Sequence, residues 1–326
     1  MINFEQIKVE LLQHDYECLK LIGSGSYSYV FLCKSLKYNS LFAVKRIEQN
    51  KYTDYEYNIL INLNHQYIIQ LYEVFEEGNS QYLVIEYCPN ETFKEKGKLN
   101  YDQFIHYSKQ ILEALSYCHS KKIAHRDIKP ANIFIDKYDR IKLADFGFAK
   151  QFDKDKISNE RCGSVMYCSP EIIKYQSFFN PFKADIYALG ITFFYMATGK
   201  HPFPCSSIEY LKRSIVYGQI DFDQFEIDEE IKSMIMKMIS HNPKLRPSVD
   251  ELLELPIYQK NESSLANPDF FKPKNKFNYI YKQICPYMTQ SRCINDSAKR
   301  QFQQKKFNYH KCNIICPNIP KKNWKL

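Results

Sequence analysis

The sequence predicts an α+β fold with short strands gathered ahead of a mostly helical region. Three observations carry this. Five runs of strand character fall before residue 88: 16–22, the stretch through Leu32, 42–45, 69–75 and 82–87. From Tyr101 to Ser120 the apolar residues Phe104, Ile105, Ile111, Leu112, Leu115 and Tyr117 recur at helical spacing. Beyond that helix a polar loop, His125 to Asn132, runs directly into two more strand-like segments, 133–135 and 141–144.

Composition supports a sizeable core, with hydrophobic residues at 44% of the 326. The segment Met1 to Gln6 has neither the basic nor the apolar region of a secretory signal. The longest apolar run, 188–197, is too short for a membrane span and reads as a buried helix. Eleven scattered cysteines, an odd number, suit reduced thiols in the cytoplasm or nucleus better than a disulfide framework.

In chain order, residues 1–15 read as a short extension of helical character without a chemical signature. The first two strands then flank Gly23-Ser24-Gly25-Ser26-Tyr27-Ser28. Glycines there allow the backbone to approach phosphates where a side chain would clash. Because this loop joins strand to strand, and not strand to helix, it argues against a dinucleotide-binding fold. Phe42-Ala43-Val44-Lys45 is the third strand, and Lys45 alone would pass for an ordinary surface lysine. Glu56, Leu60 and Leu63 open an amphipathic helical spacing. After the fifth strand Pro89 cannot continue a ladder, so the chain leaves the sheet. The next segment, 91–99, is brief and strongly charged, which predicts a shortened helix.

The loop His125-Arg126-Asp127-Ile128-Lys129-Pro130-Ala131-Asn132 brings a carboxylate, an ammonium and an amide together. Phosphoryl transfer uses that set: one group accepts a hydroxyl proton, one neutralises a moving phosphate, one helps hold a divalent metal. The second strand beyond it ends in Asp145-Phe146-Gly147. These stretches resemble the catalytic loop and metal-binding motif of eukaryotic serine/threonine protein kinases. The resemblance runs from about Tyr16 to Tyr258 and includes 162–171, 185–190 and 242–248. Within the family, 162–172 looks nearest the calmodulin-dependent-like and Unc-51-like groups.

The resemblance implies a bilobal kinase fold, a small antiparallel sheet with one helix over a larger, mostly helical lobe. The domain would span 16–258, with the small lobe at 16–87 and the large lobe at 88–258. It implies ATP in the cleft and transfer of its γ-phosphate to protein Ser or Thr hydroxyls. Asp127 would be the base and orienting group, Lys129 the neutraliser of the γ-phosphoryl, and Lys45 the phosphate ligand held by Glu56. Asn132 and Asp145 would bind Mg2+. The nucleotide would lie among Ile22, Gly23, Gly25, Ser28, Val30, Ala43, Ile85 and Phe134, with backbone groups of Glu86 and Cys88 facing adenine. Ser28 stands where the family pattern has a third glycine, and only ten residues separate Lys45 from Glu56. The first turns of that helix are therefore expected to be missing.

Further expectations have the same source. Ser164 should contact Lys129 and Asp127, Asp185 should brace the catalytic loop, and Arg246 should pair with Glu171. Leu60, Leu71, His125 and Phe146 should stack. Glu160 stands where relatives often carry a phosphorylated residue, facing Arg126 and Lys150, and supplies one negative charge there. Ala131 gives no support for a preference for upstream arginine, while Val165 and Cys168 suggest an apolar site after the acceptor. An alternative class, a scaffold without catalysis, would require a lost catalytic residue. Lys45, Glu56, Asp127, Lys129, Asn132 and Asp145 are all present.

The net charge of +8 is unevenly spread. From Gln259 onward there are fourteen Lys and Arg against three acids, so residues 259–326 carry +11 and residues 1–258 carry −3. This basic tail suits a regulatory or disordered segment, or contact with an acidic partner. Cys285, Cys293, Cys312 and Cys316 with His310 lack the paired knuckles of a zinc site.

Overall fold

The structure, a computed structural model, describes residues 4–25, 28–48, 54–152, 158–160, 162–174 and 178–259. The basic tail beyond Gln259, and every expectation attached to it, lies outside these residues.

The chain begins with α1 (Phe4–Gln13), and Asp15 in the left-handed region (φ 65°) turns it into β1 (Tyr16–Ser24). β2 (Ser28–Ser35), β3 (Ser40–Glu48), α2 (Asp54–Leu60), β4 (Leu71–Glu77) and β5 (Ser80–Glu86) complete the small lobe. The five strands form one antiparallel sheet in the order β1-β2-β3-β5-β4. One face carries Phe31, Cys33, Phe42, Val44, Tyr82 and Val84, all buried, and α1 covers it with Ile7 and Leu11. These two lie four residues apart on one helix face, so a single turn closes the cluster. Tyr82 adds a hydrogen bond to Glu10. The stretch read from sequence as an extension thus supplies core to the small lobe. Five of its ten residues are apolar, but Phe4, Val9 and Leu12 among them are exposed, so its periodicity alone could not reveal this.

The larger lobe opens with α3 (Phe93–Lys96), short as expected, with a Thr92–Glu95 capping box. α4 (Tyr101–Ser120) matches the predicted span and starts from an Asn100–Gln103 box. β6 (Ile123–Ala124) leads into the catalytic loop, β7 (Ile133–Ile135) and β8 (Ile141–Leu143) form the hairpin after it, and β9 (Lys150–Gln151) pairs back onto β6. Then come α5 (Pro170–Ile173), α6 (Pro181–Thr198), α7 (Ile208–Tyr217), α8 (Glu229–Met238), α9 (Val249–Leu253) and α10 (Pro256–Gln259).

α6 contains the apolar run 188–197 and is buried on nearly every side, as a helix apolar all round must be. A Cβ on Gly190 would fall 2.6 Å from Ile239 Cγ2 and 2.9 Å from Met238 Cβ, so only glycine permits this approach of α6 to the end of α8. No helix among the described residues is long and apolar enough to cross a membrane.

If α1 belongs to the small-lobe core, Leu11→Ala should destabilise the protein by about 2–5 kcal/mol, the usual cost of emptying a buried leucine site. Urea unfolding of the full chain checks this. A change near zero would return residues 1–15 to the status of an extension.

Candidate active site

β3 ends in an ion cluster. Lys45 Nζ lies 2.9 and 2.7 Å from the two carboxylate oxygens of Glu56 and 3.1 Å from Asp145 Oδ1. Burial alone would push the Lys45 ammonium towards neutrality, but the two carboxylates outweigh it and hold it above its ordinary value. For Asp145, burial acts to raise the carboxyl, and the charge of Lys45 reverses this, leaving it below its ordinary value. Among the described residues helix α2 covers Asp54–Leu60 and presents Glu56 to Lys45.

The catalytic loop is shaped by a carboxylate from α6. Asp185 accepts the backbone N–H groups of His125 and Arg126 at 2.8 Å each, and His119 Nε2 lies 3.0 Å from it. Arg126 takes φ 69°, a left-handed value rarely adopted outside glycine. Its neighbour Asp127 is buried and its carboxylate is fully engaged. Lys129 Nζ (2.6 Å) and Asn132 Nδ2 (3.0 Å) donate to Oδ2. The N–H and Oγ of Ser164 donate to Oδ1 at 3.0 and 3.2 Å. Lys129 Nζ also donates to Ser164 Oγ at 3.0 Å.

Asn132 uses its amide nitrogen on the Oδ2 and backbone oxygen of Asp127, which leaves its side-chain oxygen for a metal. The N–H of Ala144 donates to the backbone oxygen of Asn132 at 2.9 Å and so brings Asp145 beside it. Two oxygen ligands of this kind suit magnesium, which keeps waters and phosphate oxygens in its remaining positions.

Phe146 is fully buried and meets the His125 ring edge-on at 4.7 Å, in the same core as Leu60 and Leu71. Gly147 leaves room beside the ion cluster, since a Cβ there would lie 3.4 Å from Asp145 Oδ1. Arg246 grips Glu171 with two bonds of 2.7 and 2.8 Å and stacks over Tyr187. Glu160 meets Arg126 (3.1 Å) and Lys150 (2.6 Å).

The register places Val30, Ala43, Lys45 and Ile85 on one face of the sheet. Ile22 sits at a bulge between Leu21 and Gly23 and is exposed. Cys88 and Phe134 are half-buried at the edge of the main core with Ile85. Neither Gly23 nor Gly25 has a positive φ, and a Cβ on Gly23 would make only ordinary contact with Val30. Conformational freedom is therefore not what these glycines supply here. At Gly25 the tightest neighbour is Ser28 Oγ, 3.2 Å from a built Cβ.

Two features were not anticipated from sequence. Lys142 is buried and pairs with Glu86 at 2.8 Å, tying the start of the interlobe crossing to β8. A lysine inside the run Ile141-Lys142-Leu143-Ala144 was the available signal. Cys162 Sγ receives Arg126 Nε at 3.0 Å, and nothing in its spacing pointed to that.

A sheet-borne lysine is paired to a helix glutamate in one lobe, and a loop carrying Asp127, Lys129 and Asn132 lies in the other. A family model described as the protein kinase domain matches residues 16–257, and the chain belongs to that family. It is 31% identical over 309 residues to sperm motility kinase 2B of Mus musculus, covering 92% of this chain and 63% of that protein. It is 30% identical over 267 residues to CBL-interacting protein kinase 5 of Oryza sativa subsp. japonica, covering 78% of this chain and 58% of the other. To mouse serine/threonine-protein kinase Nek1 it is 33% identical over 267 residues, 78% of this chain and 22% of that one. The chain thus spans less than two thirds of the length of these relatives.

Lys45→Met should leave two carboxylates facing each other and abolish the rise in melting temperature on adding ATP with magnesium, a rise expected of the wild type. A thermal melt with and without nucleotide checks this. An equal rise in both proteins would show that Lys45 does not hold phosphate.

Proposed function

We propose that the chain is an active serine/threonine protein kinase, transferring the γ-phosphate of ATP to Ser or Thr hydroxyls of a protein substrate. The observation that carries this is the engagement of one carboxylate, Asp127, by Lys129, Asn132 and Ser164 within 3.2 Å. Family membership and relatives named as kinases agree with it.

In this reading Lys45, fixed by Glu56, binds the α- and β-phosphates. Val30, Ala43, Ile85 and Phe134 form apolar walls around the base, with Ile22 at the lip. Backbone atoms of Glu86 and Cys88 contact adenine, and Gly23, Gly25 and Ser28 face the phosphates. Asn132 and Asp145 would hold magnesium, which when bound supplies positive charge to the phosphate oxygens. An incoming hydroxyl would replace one Ser164 contact on Asp127, which then orients it and accepts its proton. Lys129 would offset charge on the moving phosphoryl group.

The same proposal places the protein in the cytoplasm or nucleus, in keeping with seven free cysteines among the described residues. It assigns the basic tail to regulation or to an acidic partner. A non-catalytic scaffold would require a lost catalytic residue, and Lys45, Glu56, Asp127, Lys129, Asn132 and Asp145 are all present.

The test is transfer from labelled ATP with magnesium onto a general Ser/Thr substrate, beside Asp127→Asn and Asp145→Asn. Both variants should lose about 100- to 10,000-fold in rate, with label on Ser or Thr in the wild type. Nucleotide binding without any transfer by the wild type would overturn the proposal.

A further inference from the structure

We infer that the protein selects substrates carrying an anionic side chain, acidic or already phosphorylated, a few residues from the acceptor hydroxyl, through Lys94, Lys200 and Lys212. The inference rests on the kinase reading above and names a substrate class for the same site.

The three cations come from separate elements that meet around the segment holding Ser164. The N–H of Tyr167 donates to the backbone oxygen of Ser164 at 2.9 Å, so the Tyr167 ring starts beside the residue that contacts Asp127. Burial raises the Tyr167 hydroxyl, and the charges of Tyr195 and Asp127 add to the rise, which puts both groups within its electrostatic reach. The rings continue outward. His201 meets Tyr167 edge-on with centroids 5.8 Å apart and lies 5.0 Å from Tyr195 near the end of α6. Tyr195 donates its hydroxyl to the backbone oxygen of Lys94 in α3 at 2.9 Å. Lys200 directly precedes His201, and its N–H donates to Thr198 Oγ1 at 3.2 Å. Lys94 and Lys200 are both exposed.

Lys212 belongs to α7, which brings Leu211 and Ile215 into one apolar cluster with Val165, Met166 and Tyr167. Burial pushes the Cys168 thiol up to about 12, and Lys212 is the charge that acts against this rise. A third cation therefore stands by the far end of the same segment.

These charges are not spent within the protein. Among the described residues none of the three lysines forms a salt bridge, although Lys98 and Lys129 do. Glu95 is turned back onto Thr92 in the α3 capping box, and Glu226 pairs with Lys98. That leaves Glu91, exposed ahead of α3, against Lys94, Lys200 and Lys212.

The rings set the reach. Ring steps of 5.8 and 5.0 Å, with an extended substrate advancing about 3.3 Å per residue, put Lys94 and Lys200 roughly three to six residues from the acceptor. Each exposed ion pair is weak, but several cations of one sign around a short stretch attract an anion there and disfavour a cation.

The experiment compares peptides on the full chain. One has a single serine among neutral residues; the others add aspartate, phosphoserine or lysine at those distances. The anionic peptides should exceed the neutral one in kcat/KM about tenfold, through a lower KM, and added salt should shrink the advantage. A larger gain from phosphoserine would assign substrates phosphorylated beforehand, and equal gains acidic ones; either supports the inference. A triple variant, Lys94→Gln with Lys200→Gln and Lys212→Gln, should bring anionic and neutral peptides level. An advantage that survives in it would belong to the basic tail and overturn the inference, as would a wild-type preference for the lysine peptide. Lys94→Glu with Lys200→Glu should turn the preference towards lysine. Binding of the same peptides, labelled, is read by fluorescence anisotropy on Asp127→Asn. Equal affinities there would overturn the inference. Selective binding of the anionic peptides, beside a wild type that transfers nothing, would support it and sink the kinase reading alone.

Discussion

The buried carboxylate of Asp185 is the interaction on which the rest of the site depends. A backbone turn such as His125-Arg126-Asp127 leaves N–H groups pointing inward, where an unmet donor costs free energy. Asp185 takes two of them at 2.8 Å and so makes a left-handed Arg126 tolerable. Non-glycine residues in that conformation carry strain of about 1–3 kcal/mol, and such strain persists only when surroundings over-determine it. Here it aims Asp127 at Lys129, Asn132 and Ser164, and the side chain of Arg126 towards Glu160 and Cys162. Asp185 can do this because α6, its carrier, is a rigid apolar rod in the middle of the large lobe.

A second constraint joins the lobes. Lys45 belongs to the sheet, Glu56 to the helix beneath it, and Asp145 to the large lobe, and the three meet within 3.1 Å. Asp145 has φ 61°, another left-handed residue at a functional position. Phe146, which follows it, is fully buried against His125. The polar cluster and the apolar plug are adjacent in sequence, so the charge pairing and the packing of the lobes cannot change independently.

Much of this could be read in advance because it lies in short, contiguous stretches. The residues from His125 to Asn132, and from Asp145 to Gly147, keep their chemistry wherever the chain places them. α4 was legible because its apolar spacing is regular, and the structure adds the Asn100–Gln103 box at its start. α1 was only half legible. Its helical character shows in the sequence, but its burial depends on the apolar outer face of a sheet whose strands come later. Lys142 hid for a similar reason: its partner Glu86 is far away in the chain, and only the packing of β8 behind the crossing brings them together.

By itself the sequence determined which groups can do chemistry and in what order they come, since side-chain identity and local periodicity are properties of neighbours along the chain. It pointed to the α+β class through apolar runs of strand character and the helical spacing of 101–120, and through the motifs that carry the resemblance. Tertiary structure decided the rest: that α1 completes a core, that Lys142 pairs with Glu86, and that Cys162 receives a guanidinium N–H. These are contacts between segments distant in sequence. Their formation depends on burial, on the backbone turns at Arg126 and Gly163, and on the balance of charge in one small volume. Those quantities acquire values only when the chain has folded.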